Sequence, residues 1–148
     1  MPSGVVALAG LDEDANCHGM AMSTFVPVSI DPPIVAISVQ ETSRTWTRLR
    51  KLPALGVSVL THDHGPLARQ LAGPEAERFR GVATVASPSG AVHIDGCGTR
   101  FECTVIDEIV AGDHLIVTLS VEALTPPGAD DAGPLIFHRS TFGALASS

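Results

Sequence analysis

Tyrosine is absent from this 148-residue chain, tryptophan occurs once and aromatic residues make up 4%. Any flat ligand must therefore stack on Phe, Trp, His or Met. Basic charge is also scarce: nine Lys and Arg stand against sixteen Asp and Glu, for a net charge of −7. A phosphate backbone demands a basic surface, so nucleic acid is excluded as the main partner, and an anionic membrane surface is equally ill suited. No apolar run approaches the roughly 20 residues that a spanning helix needs. The first ten residues, MPSGVVALAG, carry no basic residue ahead of their apolar run and do not read as a secretory signal. Cysteine is limited to Cys17, Cys97 and Cys103. An odd count without regular spacing argues against a disulfide framework and suits a reducing compartment, with the cytosol as the default.

Familiar signatures are missing too. There is no GxGxxG opening a helix after a strand and no GxxxxGK[ST]. Ser89-Gly90 has no nucleophile-elbow context. His62-Asp63-His64 lacks the further ligands and spacing of a metal site, so no metal is expected.

What is present is abundant Gly, Pro, Val and Thr, a balance that favours strands joined by turns. The length suits one domain with a proper core, spanning residues 1–148. Residues 4–10 read as a first strand and 18–28 as a second, forming a hairpin. The stretch SIDPP at 29–33 is a break, because neither proline can donate a ladder hydrogen bond. Strands follow at 34–39 and 55–60, with a helix at 44–52 between them, and a short helix at 66–72. Residues 82–98 are weakly patterned and rich in Gly, Ser and Pro, and are expected to be loop with short strands. Residues 99–110 and 114–124 alternate on either side of Ala111-Gly112-Asp113, which makes a hairpin. A last strand is expected over 134–142. Six or more strands and two or three short helices give a mainly β fold, an antiparallel barrel that removes exposed edges.

The organising stretch is 18–51. Thr42 or Ser43 is a natural N-cap for the helix after it. Arg44, Arg48, Arg50 and Lys51 fall within eight positions that hold no acid. Two readings stand: an anionic ligand at the helix start, or an ordinary capped and solvated helix. Trp46, Leu49 and Leu52 lie three apart, which favours core packing for the tryptophan. Ser23 and Thr24 read by themselves as strand hydroxyls, and Met20 and Met22 as either core or ligand packing.

The ordered motifs HGMAMSTF, SIDPPIVAISV, SRTWTRLR, LARQLAGPEAERF, AGDHLIVTLSVEAL and PLIFHRSTFGAL resemble the flavin reductase-like FMN-binding split-barrel family. Its members are the small reductase components of two-component flavin monooxygenases. The resemblance covers essentially the whole chain. It implies an antiparallel split β-barrel, FMN or FAD as flavin, and NADH or NADPH as hydride donor. By the same resemblance, Met22, Ser23 and Thr24 lie against the flavin. Ser43 and Thr45 receive its phosphate with help from Arg44 and Arg48. Arg78-Phe79 borders the flavin, and His114 of Gly112-Asp113-His114 sits near the nicotinamide. A flavin-dependent monooxygenase and a second copy of the chain, as homodimer, are the implied partners. The helix that usually precedes the first strand in this family has no counterpart before Gly4. A flavin-binding carrier without catalysis is the rival reading, against which His114 weighs. An oxidase of a phosphorylated amine would need a second basic island.

Overall fold

The computed structural model describes residues 3–128, 133–138 and 141–144. A seven-stranded antiparallel sheet dominates it. Its strands are β2 (Val6–Leu11), β3 (Cys17–Met22), β4 (Val26–Ser29), β5 (Ile34–Gln40), β6 (Leu55–Val59), β9 (Arg100–Ala111) and β10 (His114–Thr125), in the order β3-β2-β6-β9-β10-β5-β4. A three-stranded sheet joins β1 (Ser3–Gly4), β11 (Leu135–His138) and β12 (Thr141–Ala144), and β7 (Thr84–Ala86) pairs with β8 (Val92–Ile94). The helices among the described residues are α1 (Arg44–Leu49) and α2 (Gly65–Leu71), supplemented by 3-10 turns at His62–His64 and Glu75–Glu77.

The two edge strands, β3 and β4, are consecutive in the chain, so the sheet rolls until its ends meet at residues 23–25. Thr24 bridges that seam. Its hydroxyl donates to the Ser38 carbonyl at 2.8 Å and accepts the Ser38 N–H at 3.1 Å, standing in for a ladder partner beyond the end of β4. The result is a split barrel.

Alternation sets what fills it. Leu115, Val117 and Leu119 of β10 point inward with Ile37 and Val39 of β5, Val57 of β6 and Leu8 of β2. Helix α1 adds Trp46, 1% exposed, and Leu49, 0% exposed, to this interior. Burying each such side chain stabilises the fold by roughly 1.5–3 kcal/mol. β2 is buried on both faces: Val6 and Leu8 enter the barrel, while Ala7 joins Leu60, Ala68, Leu71 and Leu135 in a second core beneath α2. The β6 residue Gly56 lies under β8. A Cβ there would stand 2.1 Å from the Val92 carbonyl oxygen, so only glycine lets the two backbones cross.

Several expectations need correction. The strand expected over 18–28 is two, because the chain leaves one sheet edge at Met22 and enters the other at Val26. The first strand is likewise split, β1 pairing with β11 and β2 with β3 and β6. The last strand is also divided, into β11 and β12, which pair antiparallel; residues 139 and 140 lie outside the described residues. The first helix ends at Leu49, with Arg50 as C-cap, rather than at Leu52. The short strands expected within 82–98, by contrast, are present as the β7–β8 pair.

Candidate functional site

The strand-to-helix passage from β5 into α1 forms one wall of a cleft of about 530 Å³. Ser43 is the N-cap: its side chain accepts the Trp46 N–H at 3.1 Å, which fixes the first turn and leaves the hydroxyl proton free to donate. Thr45 is 6% exposed, and its hydroxyl accepts a hydrogen bond from Arg78 Nη1 at 2.7 Å. Met20, Ala21 and Met22 of β3 form the facing wall, Leu71 and Ala72 close the α2 side, and His114 stands at the β10 end. This single cleft therefore gathers Met22, Ser43, Arg44, Thr45 and His114 from three separate parts of the chain.

The remaining expected residues lie elsewhere. Arg48 and Phe79 line a neighbouring basin of about 420 Å³, which shares Glu75 and Arg78 with the first. Ser23 lines a small apolar hollow behind Met22. The Thr24 hydroxyl is engaged with Ser38, as the fold requires.

Two residues matter beyond what was expected: Arg78, which the resemblance placed only at the border of the flavin, and Glu75, which was not singled out. Arg78 is a three-way clamp: besides Thr45, it donates from Nη1 to the Gly19 carbonyl and from Nε to the Gly73 carbonyl, each at 3.0 Å. Gln70 holds this loop, with Nε2 within 3.0 Å of the carbonyls of Glu77, Arg78 and Arg80. Phe79 then packs on the bare backbone of Gly19, where a Cβ would lie 2.7 Å from its ring and 2.5 Å from the Leu8 carbonyl. Glu75, the second, lies 3.5 Å from Arg48 and faces both basins. Arg78 was named through the paired motif Arg78-Phe79, but its contact with α1 and that of Glu75 leave no periodic trace in sequence.

The electrostatics refine the basic island. Arg50 turns away to Glu108 at 2.7 Å, and Arg48 meets Glu75, whereas Arg44 and Lys51 form no salt bridge among the described residues. At the other end, Asp113 Oδ1 lies 2.7 Å from His114 Nδ1. That hydrogen bond lowers the Asp113 carboxyl below its ordinary 3.8, so it stays ionised and accepts from Nδ1–H. Nε2 of His114 is then left for a ligand, as acceptor on a neutral ring and as donor on a protonated one. Cys17, in the second basin, is held as the unreactive thiol because burial pushes its pKa up to about 11. Among the described residues no group of three or more His, Cys, Asp or Glu side chains could hold a metal.

The arrangement suits an amphiphilic ligand: thioether and aliphatic walls for a flat ring, and hydroxyl and guanidinium donors for an anionic tail. A rolled antiparallel sheet with such a cleft at its seam defines the split-barrel class. Within that class, the chain belongs to the flavin reductase like domain family, whose profile matches residues 1–146. It is 31% identical over 146 residues to a flavin reductase of Pseudomonas putida, covering 99% of this chain and 85% of that protein. A nitrilotriacetate monooxygenase component B homologue from Mycobacterium thermoresistibile superposes with a TM-score of 0.93 at 27% identity, over 99% of this chain and 81% of that one. The NADH:FAD oxidoreductase of Streptomyces globisporus, solved with NAD and FAD fragments, gives 0.89 at 30% identity, over 99% and 87%.

Proposed function

We propose that this chain is a flavin reductase that uses NADH or NADPH to reduce FMN or FAD and supplies the reduced flavin to a monooxygenase. The observation that carries this reading is the gathering of Met22, Ser43, Arg44, Thr45 and His114 in one cleft. The donor set fits a flavin, with hydroxyls and Arg44 for the phosphate and Met20 and Met22 beside the ring. Relatives named as reductase subunits or components of flavin-dependent monooxygenases support the partner class.

When bound, flavin and nicotinamide supply the redox chemistry, hydride passing from one ring to the other. The protein's part is positioning, which in the best intramolecular models lowers a barrier by about 7–11 kcal/mol. Ser43 and Thr45 donate O–H groups to the tail. Arg78 fixes the rotamer of Thr45, so that its proton points away from the guanidinium. The Met20 and Met22 side chains exclude water from one face. His114, held by Asp113, presents Nε2 to the nicotinamide.

We place the reaction in the cytosol, in keeping with three free cysteines, and no described helix is long and apolar enough to cross a membrane. A homodimer is part of the same proposal: Val26, Val28 and Ile30 expose 50%, 57% and 95% of their surface, which a second copy would cover. Light scattering on a size-exclusion column tests it, and a monomer with full flavin affinity contradicts it. For the site, Ser43→Ala and Thr45→Ala weaken FMN binding but leave riboflavin binding unchanged. Equal loss of both ligands contradicts a phosphate role for these hydroxyls.

A further inference from the structure

A second polar side chain stands beside His114 at the β10 end of the cleft. Gln40, the last residue of β5, is the register partner of His114, the first residue of β10. Partners across an antiparallel ladder project to the same face, with Cβ atoms about 4.5–5.5 Å apart. Both accordingly line the same cleft, together with Ser38 two residues earlier on β5.

The backbone at Gln40 is held from both sides. The Glu41 N–H donates to the Asp113 carbonyl at 3.0 Å, which closes the end of β5 against the hairpin that carries His114. The Ser43 N–H donates to the Gln40 carbonyl at 3.0 Å, which begins the turn into α1. Gln40 is thus fixed between the histidine and the helix cap. Its side chain, in contrast, is exposed and makes no hydrogen bond among the described residues. An amide on an anchored backbone with no internal partner has both a donor and an acceptor to offer. Neither it nor a neutral His114 ring carries charge, so the pair suits an uncharged planar polar group rather than a carboxylate or a phosphate.

We propose that Gln40 is a specificity-determining residue that, with His114, reads the carboxamide of the nicotinamide ring. The inference rests on the flavin-reductase reading and deepens it, by assigning Gln40 and by stating which atoms of the hydride donor are recognised. The Gln40 amide pairs with the carboxamide through two parallel bonds: Nε2–H donates to its oxygen, and Oε1 accepts one of its N–H groups. His114 donates Nδ1–H to Asp113, so Nε2 accepts the other N–H. Every polar atom of the carboxamide then has a partner.

Binding is measured by NMR titration of the FMN-loaded protein with NAD+ and with its 3-acetylpyridine analogue, in which a methyl group replaces the carboxamide nitrogen. Wild type should bind NAD+ about tenfold more tightly, because the analogue leaves Gln40 Oε1 and His114 Nε2 without their donors. Gln40→Ala and the bulkier Gln40→Leu alter an exposed side chain and should fold. In both, NAD+ should weaken about five- to tenfold and its preference over the analogue should shrink to about threefold, while the FMN dissociation constant holds. The kcat/KM for NADH should fall by the same factor. An unchanged preference in both variants overturns the assignment. So does a loss of FMN affinity in step with NAD+, which would place Gln40 against the flavin, and so does wild-type binding in Gln40→Leu, which would make the role one of bulk. Wild-type protein that binds FMN but neither nucleotide overturns the reductase reading on which the inference rests.

Discussion

Arg78 holds its guanidinium 2.7 Å from the hydroxyl of Thr45, across 33 residues of sequence. Through this contact the 75–80 loop sets the first turn of α1, and with it one wall of the cleft. The same side chain reaches Gly19 on β3 and Gly73 beyond α2. Arg78→Ala should lower stability by about 2 kcal/mol, since each hydrogen bond from a charged group contributes roughly 1.5–3 and neighbours are not additive. Flavin affinity should fall as well. Arg78→Lys should not restore it, because an ammonium cannot reproduce a planar fork. Thermal melts and FMN titrations check both.

Glu75 shares Arg48 with any anion that enters the basins. Glu75→Gln should tighten FMN and FAD binding about three- to fivefold and leave riboflavin unchanged, in line with the modest strength of an exposed ion pair. The gain should shrink as salt is added. Tighter riboflavin binding in the same variant would point to a shape effect instead.

Gly56 is a direct check on the crossing of β6 and β8. With a Cβ placed 2.1 Å from the Val92 carbonyl oxygen, Gly56→Ala should cost about 3 kcal/mol or more, or prevent soluble expression. Gly4→Ala, which meets nothing within 4 Å, is the matched control and should melt near wild type.

Glu102 ties β9 to the 87–90 turn by accepting hydrogen bonds from Ser87 and Ser89. These bonds lower its carboxyl below the ordinary 4.5. The folded protein therefore takes up this proton less readily than the unfolded chain. The contribution to stability is complete above about pH 4.5 and is lost as pH falls through the folded pKa. Glu102→Gln should be less stable at neutral pH and show a shallower loss of Tm on acidification than wild type.

Much of this was legible in the sequence, for reasons that can be named. The inward set Leu115, Val117 and Leu119 alternates without interruption, and its strand emerged nearly as expected, as His114–Thr125. Ser43 could be picked out as a cap because its hydroxyl acts locally, three residues away. Thr24 could not. A hydroxyl that replaces a ladder partner on Ser38 looks like any strand threonine until the sheet is rolled. For the same reason a single expected strand hid the passage from one edge to the other. Cationic residues clustered in sequence also diverged in space, Arg50 toward Glu108 and Arg48 toward Glu75, because successive helix positions point about 100° apart.

The most direct measurement is anaerobic mixing of the purified chain with FMN or FAD and either NADH or NADPH, following the visible absorbance of oxidised flavin. At least one pairing should bleach the flavin at a rate proportional to protein, and His114→Ala should slow it while flavin affinity holds. Unchanged absorbance with every pairing, in protein that binds flavin, would contradict the reductase reading and leave a flavin carrier in its place.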